Sequence, residues 1–300
     1  MTTTSGPWTV AVLGPGGVGG LAAGLLARAG HRVICLAREE TAAALGSGGL
    51  TVRSGQFGDF EVPVAADTLL RERVDAVLVT PKETGLRSAL ERMPREALGD
   101  ALVVPLLNGV EHVDVLRATY PPEQVAAATI RVESTRTAPG VIEHSSPFAM
   151  IELAGATAPA ERVAALGDVL RAAGFAARVR EDETAMLWSK LSFLLPMALL
   201  TTRYRGTVGA VRAERRDELL ALVEELARVA AAEGAEIDTT ALIGQFDAAP
   251  SGMRSSMQKD AEAGRPLELD AIGGALLRAA DRHGIAVPVA AGLVAALSKE

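Results

Sequence analysis

A single cysteine, Cys35, stands in the 300-residue chain. It can close no internal disulfide, which points to a reducing, cytoplasmic setting, and it falls in an apolar run that reads as core. Four scattered histidines and that one cysteine give none of the usual ligand spacings, so no metal is expected. There is no GxSxG or other nucleophile motif, no repeat, no heptad array and no low-complexity linker. Runs of lysine and arginine are missing and the net charge is −7, which argues against a nucleic-acid partner. The opening Met1-Thr-Thr-Thr-Ser-Gly-Pro7 lacks the basic and apolar regions of a signal peptide. The longest notable apolar run, Leu191 to Leu200, is too short to span a bilayer and contains Pro196, so no membrane partner is expected. What remains is small-molecule chemistry, in a chain whose 49% hydrophobic content can fill one large or two ordinary domains.

The most informative stretch is Trp8-Thr-Val-Ala-Val-Leu13 running into Gly14-Pro15-Gly16-Gly17-Val18-Gly19. An apolar strand that ends in GxGxxG and is followed by a helix (Leu21 to Gly30) is the fingerprint of a dinucleotide site. Gly14 permits the tight turn, Gly16 lets backbone approach a pyrophosphate, and Gly19 lets the next helix pack closely. The free N–H groups at the helix start face the phosphates. The second strand, Arg32 to Ala37, ends about twenty residues past the glycines, where a ribose-binding residue is expected. Arg38 stands there. Its guanidinium suits a 2′-phosphate, which favours NADPH; Glu39 and Glu40 leave NAD open, and a solvated arginine at a strand end reads the same way.

Further strands are expected at Leu50–Arg53, Phe57–Val62, Asp75–Thr80 and Ala101–Leu107, with a helix from Glu83 to Arg92. Three strands thus end in Gly14, Thr80-Pro81-Lys82 and Asn108-Gly109, and these ends should lie side by side at the ligand edge of a parallel sheet. Gln124–Leu153 reads as β-rich, and a helix (Pro159–Ala173) and a strand (Phe175–Val179) close the first domain. Beyond Glu181 the pattern is helical: Thr184–Thr202, Val211–Glu233, Thr239–Phe246, Arg254–Glu262, Leu267–His283 and Pro288–Leu297. The fold class is therefore α/β, a Rossmann-type doubly wound parallel sheet over residues 1–180, followed by an all-α domain over 181–300.

Lys190 lies among Leu187, Leu191, Leu194 and Leu195. Partial desolvation there would lower its pKa toward useful acid–base values, although a snorkelling lysine fits the same pattern. Glu268 opens a helix after Pro266, where the helix dipole favours a carboxylate and capping alone would explain it. Ser255 and Ser256 precede another helix, as caps commonly do.

Together these pieces resemble the ketopantoate reductase (2-dehydropantoate 2-reductase) family over nearly the whole chain. The resemblance rests on the glycine loop, Arg38, Val79-Thr-Pro-Lys82, Leu107-Asn-Gly109, Leu187-Trp-Ser-Lys190, Ser255-Ser-Met257, Leu267-Glu-Leu-Asp270 and His283-Gly-Ile-Ala-Val-Pro288. It implies an NADPH-dependent oxidoreductase of pantothenate biosynthesis. Lys82 and Asn108 would line the cofactor side, Lys190 would be the catalytic lysine, Ser256 would bind the carboxylate of a 2-oxo acid, and Glu268 would organise the site. A homodimer is compatible with the family.

The chain also departs from that pattern. Asparagines usual in the family are replaced by Leu194, Ala198 and, in an ungapped alignment, Val208. With Leu194 and Ala198 on the lysine's side of its helix, the substrate wall would be apolar. Ketopantoate stays the default substrate, and the apolar wall opens the alternative of a less polar 2-oxo acid, with Thr201, Thr202 or Tyr204 as replacement polar groups. A β-hydroxyacid or 6-phosphogluconate-type dehydrogenase and a non-catalytic NADPH-binding sensor are the rival readings.

Overall fold

In the computed structural model, which describes residues 6–299, the first apolar run forms β1 (Thr9–Leu13) at the centre of a five-stranded parallel sheet. The chain continues through α1 (Gly17–Arg28), β2 (Arg32–Leu36), α2 (Glu39–Gly48), β3 (Leu50–Ser54), β4 (Phe60–Val62), β5 (Ala65–Asp67) and β6 (Ala76–Val79). Next come α3 (Leu86–Leu90), α4 (Arg95–Leu98), β7 (Leu102–Pro105) and α5 (His112–Thr119). The sheet order is β5-β2-β1-β6-β7, so the direction of strand addition reverses between β1 and β6. That reversal is where ligands bind beyond the strand ends of such sheets. Residues Val10–Leu13, Ala76–Val79 and Leu102–Val104 have no exposed surface, as expected of parallel strands covered on both faces. Cys35 lies buried in β2 and burial pushes its thiol up to about 12, so it is an inert core residue.

The β-rich stretch builds two further sheets from β8 (Ala127–Arg131), β9 (Ser134–Ala138), β10 (Val141–His144), β11 (Met150–Ala154) and, after α6 (Ala160–Ala172), β12 (Ala176–Arg180). One has the order β4-β3-β10-β9 and the other β12-β11-β8. Helix α1 packs on the first of these through glycines at helical spacing. A Cβ on Gly17 would overlap the Ser134 carbonyl oxygen and sit 2.6 Å from its carbon. On Gly20 it would lie 2.7 Å from Ile142 Cγ1, and on Gly24 2.8 Å from Val52 Cγ2. The bare face of α1 thus serves the β3/β10 layer.

The helical part comprises α7 (Glu183–Arg203), α8 (Val208–Glu214), α9 (Arg216–Ala232), α10 (Thr239–Ala248), α11 (Ser256–Glu262), a π-helical turn (Asp270–Gly274), α12 (Ala275–Arg282) and α13 (Pro288–Leu297). Its core gathers Trp188, Leu191, Leu195, Leu222, Leu226, Phe246 and Leu276. The buried Glu225 carboxylate on α9 accepts the Val289 and Ala290 N–H groups, each at 2.9 Å, and so caps α13 from a neighbouring helix.

Several expected elements differ. The helix expected over Val211–Glu233 is two, broken at Arg215 (φ −131°, ψ 27°). The helix expected over Leu267–His283 begins only after Glu268 and contains the π turn. Glu83–Gly85 is a 3-10 turn before α3. Of Phe57–Val62 only Phe60–Val62 is strand, because the Phe57 and Gln56 N–H groups turn back onto Ser54 Oγ. Strand β5 and helices α2, α4 and α5 are additional to the expected elements. The 21-residue α7 is long and apolar enough to cross a membrane by composition alone, unlike the ten-residue run read in the sequence, but 67% of its apolar window is buried inside the protein. Among the described residues it is the one such helix.

Contacts divide the chain into two units. The first runs to Leu107 and resumes as His112–Glu183; the second is Asn108–Glu111 with everything from Thr184 onward.

Candidate active site

In the α/β unit the ends of β1, β6 and β7 lie side by side: Leu13 pairs with Val79, and Val79 with Pro105. Gly14 takes φ +79°, a left-handed turn closed to most side chains. A Cβ on Gly16 would meet only the Gly14 carbonyl oxygen, at 3.8 Å, so this position is open to a ligand. Gly16 caps α1 without any side-chain hydrogen bond, and the first N–H groups of the helix, from Gly17, Val18 and Gly19, have no partner within its ladder. Pro15 contributes no N–H to this turn.

Gly19 serves a purpose beyond helix–strand packing. A Cβ there would lie 2.8 Å from the Gly14 oxygen and 3.1 Å from Thr80 Cβ. The Thr80 hydroxyl lies 2.8 Å from both the Leu13 and Gly14 oxygens, tying the end of β6 to the glycine turn. The sequence marks Thr80 as a strand end within Val79-Thr-Pro-Lys82; nothing in its local sequence announces that its hydroxyl stitches two loops 66 residues apart. Lys82 follows as an exposed residue.

Arg38 sits one residue beyond the buried Ala37 at the end of β2, exposed, at the N-cap of α2. Its side chain makes no hydrogen bond or ion pair with the described residues. Glu39 and Glu40 occupy the first turn of α2, where the helix dipole accounts for them.

In the helical unit Lys190 lies on α7 with only 8% of its surface exposed. At 100° per residue, Leu194, Met197 and Thr201 share its face. Leu194 and Met197 are half-buried. Ala198 stands about 80° off the Lys190 line; it has no exposed surface and packs in the helical core, as Val208 does at 1%. Of Leu194, Ala198 and Val208, Leu194 is the one that is not buried.

Asn108 and Glu268, 160 residues apart in sequence, come together: the Asn108 amide donates to Glu268 Oε2 at 3.0 Å, and Glu268 is 7% exposed. Glu268 lies just ahead of the helical turn, where its backbone oxygen accepts the Ile272 N–H. Ser255 and Ser256 divide two tasks. Ser255 is fully buried and caps α11, its hydroxyl accepting from Gln258 N at 3.0 Å. Ser256, the first residue of α11, is exposed. The Thr201 hydroxyl meets the Ser255 hydroxyl at 2.8 Å, so the face carrying Lys190 is linked to the turn carrying Ser256. The apolar pattern around Thr201 concealed this contact. Among the described residues no cluster of histidine, cysteine, aspartate and glutamate could hold a metal.

The profile of the family described as ketopantoate reductase PanE/ApbA matches residues 10–153, and that of its C-terminal domain matches residues 182–300. A 2-dehydropantoate 2-reductase of Caulobacter vibrioides is 31% identical, with 97% of this chain and 98% of the relative covered. The crystal structure of a PanE/ApbA family ketopantoate reductase from Ralstonia eutropha JMP134 superposes with a TM-score of 0.86 at 32% identity, covering 96% of each chain. A D-mandelate dehydrogenase bound to NADH and anilino(oxo)acetate shares the fold, with a TM-score of 0.88 at 22% identity over 97% of each chain. The chain is thus an oxidoreductase and belongs to the ketopantoate reductase PanE/ApbA family.

Proposed function

We propose that this protein reduces the carbonyl of a 2-oxo acid with NADPH, residues 1–180 binding the cofactor and residues 181–300 the substrate. The observation that carries the reading is the burial of Lys190 in an otherwise apolar helix. A buried ammonium in a reductase of this family has a use: it stabilises the negative charge that grows on the carbonyl oxygen and hands that oxygen a proton.

The fit to a dinucleotide rests on three features. They are the space left at Gly16, the start of α1 that no side chain caps, and the Arg38 guanidinium, which has no partner among the described residues. The bound nicotinamide supplies the hydride. The residues of this chain bind and orient. Gly14 to Gly19 receive the pyrophosphate, Arg38 the 2′-phosphate, and Lys82 and Asn108 the cofactor side of the site. Ser256 offers an exposed hydroxyl to the substrate carboxylate. Glu268, held by Asn108, organises the charge around Lys190.

Ketopantoate is the default substrate. The alternative, a less polar 2-oxo acid, draws support from the apolar, half-buried Leu194 and Met197 on the face that Lys190 occupies. The test is NADPH oxidation against a panel of 2-oxo acids that includes ketopantoate. Lys190→Ala serves as the control, and its kcat should fall by about two to four orders of magnitude while NADPH affinity holds. Near wild-type turnover in Lys190→Ala, or no turnover with any 2-oxo acid, refutes the reading.

A further inference from the structure

The tetrapeptide Asn108–Glu111 follows the last strand of the parallel sheet, yet its contacts belong to the helical unit. Each of its four residues is held there by a different means. Asn108 donates its amide to Glu268. Gly109 takes φ +83°, and a Cβ on it would overlap the Ala271 carbonyl oxygen and lie 3.1 Å from the carbon, so only glycine fits. Val110 packs against the helical core. Glu111 accepts from the Arg278 guanidinium at both oxygens, Nε at 3.0 and 3.2 Å and Nη2 at 2.6 Å.

The same guanidinium turns its other edge to Asp270. Nη1 donates to Oδ1 at 2.7 Å, and Nη2 to Oδ2 and to the Asp270 backbone oxygen, each at 3.2 Å. Asp270 and Arg278 are eight residues apart, about 80° out of line on a regular α-helix. The π turn Asp270–Gly274 absorbs one residue, and the remaining seven bring the two side chains to within about 20° of one face. The π turn is therefore what lets one arginine bridge Glu111 and Asp270. It begins two residues after Glu268. The hydrogen bonds that Arg278 donates to Glu111 and then to Asp270 outweigh desolvation and raise its pKa above its ordinary value, so the bridge stays charged.

We propose that Glu111, Arg278 and Asp270 form a clamp that positions the Asn108–Glu268 pair, pinning the Asn108 loop and the turn after Glu268 to one guanidinium. Arg278 is a positioning residue; it acts through Asn108 and Glu268, and the inference rests on those two belonging to the reductase site as proposed above. The side chains of Arg278, Glu111 and Asp270 are 45%, 34% and 71% exposed. Ion pairs this exposed contribute little to stability. Displacement of a catalytic group by about 1 Å can nonetheless cost on the order of a hundredfold in rate. Activity and stability should therefore separate.

The experiment is a double-mutant cycle in the full chain on kcat/KM, with Arg278→Ala, Asn108→Ala and the pair, together with denaturant unfolding and amide hydrogen exchange of residues 108–111. Arg278→Ala is expected to lower kcat/KM about ten- to a hundredfold, to leave the unfolding midpoint near wild type and to speed exchange in the tetrapeptide. Its effect should largely vanish in the Asn108→Ala background. Arg278→Lys, which keeps one charge but not the fork, should recover part of the activity. Additive losses, unchanged exchange, or an activity loss that tracks unfolding would overturn the clamp. Wild-type activity in Asn108→Ala would instead remove the site reading on which the clamp rests, and the clamp with it.

Discussion

Adding one methyl group at Gly16 and one at Gly17 should give opposite results. At Gly17 the new Cβ would overlap the Ser134 backbone oxygen, 2.6 Å from its carbon and 3.0 Å from Thr135 Cα. These are backbone atoms of β9, so no rotamer change relieves them, and α1 must shift away from the β4-β3-β10-β9 sheet. Overpacking of this kind typically costs about 1–3 kcal/mol, against at most ~1 kcal/mol gained from the better helix propensity of alanine. The net should be a lower denaturant midpoint for Gly17→Ala. At Gly16 φ is −82°, outside the left-handed region, and the nearest atom to the new Cβ is 3.8 Å away. Gly16→Ala should lose only the preference of an N-cap for glycine, up to about 1 kcal/mol, while its methyl group occupies the space that a pyrophosphate needs. An intrusion of about 1–3 kcal/mol weakens dinucleotide binding roughly 5- to 150-fold. Urea unfolding and a fluorescence titration with NADPH, run on both variants, read the two quantities separately. A Gly17→Ala protein as stable as wild type, or a Gly16→Ala protein that keeps its NADPH affinity, would refute this account of the glycine turn.

Arg38→Ala should weaken NADPH binding by about 1.5–3 kcal/mol, the scale of a charge-assisted contact, and NADH binding much less; equal changes for both in calorimetric titrations would remove Arg38 from the 2′-phosphate. Leu194→Asn should shift kcat/KM toward ketopantoate and away from analogues with apolar side chains by about ten- to a hundredfold, and steady-state kinetics with both substrates would show a failure to shift. Burial pushes the Glu152 carboxyl up, but the hydrogen bonds and charges of Arg131 and Arg180 outweigh it and hold the pKa below the ordinary value. A depressed folded-state pKa stabilises the protein above the unfolded value of about 4.3, and that stability is lost as pH falls through the folded pKa. Glu152→Gln should therefore be less stable than wild type at pH 7, with the gap closing below about pH 4; a gap that stays constant with pH would contradict the charge argument.

The sequence by itself determined the parallel sheet, the glycine turn at its first strand end and the succession of helices after residue 181. These features are written in local order. Buried parallel strands appear as unbroken apolar runs, a left-handed turn demands glycine, and amphipathic helices repeat with their own period. The same local logic marked Lys190 as a charge in apolar company and placed Arg38 at the end of β2. Tertiary structure alone decided what depends on side chains distant in the chain. Gly17 and Gly20 had to be bare because β9 and β10, more than a hundred residues later, press against α1. Asn108 is covalently part of the first half of the chain but joins the second, because Glu268 and Arg278 take hold of its loop. The π turn that aligns Asp270 with Arg278 has no signature of its own, since a single extra residue in a helix leaves the apolar pattern nearly unchanged and declares itself only through the partner it brings into reach.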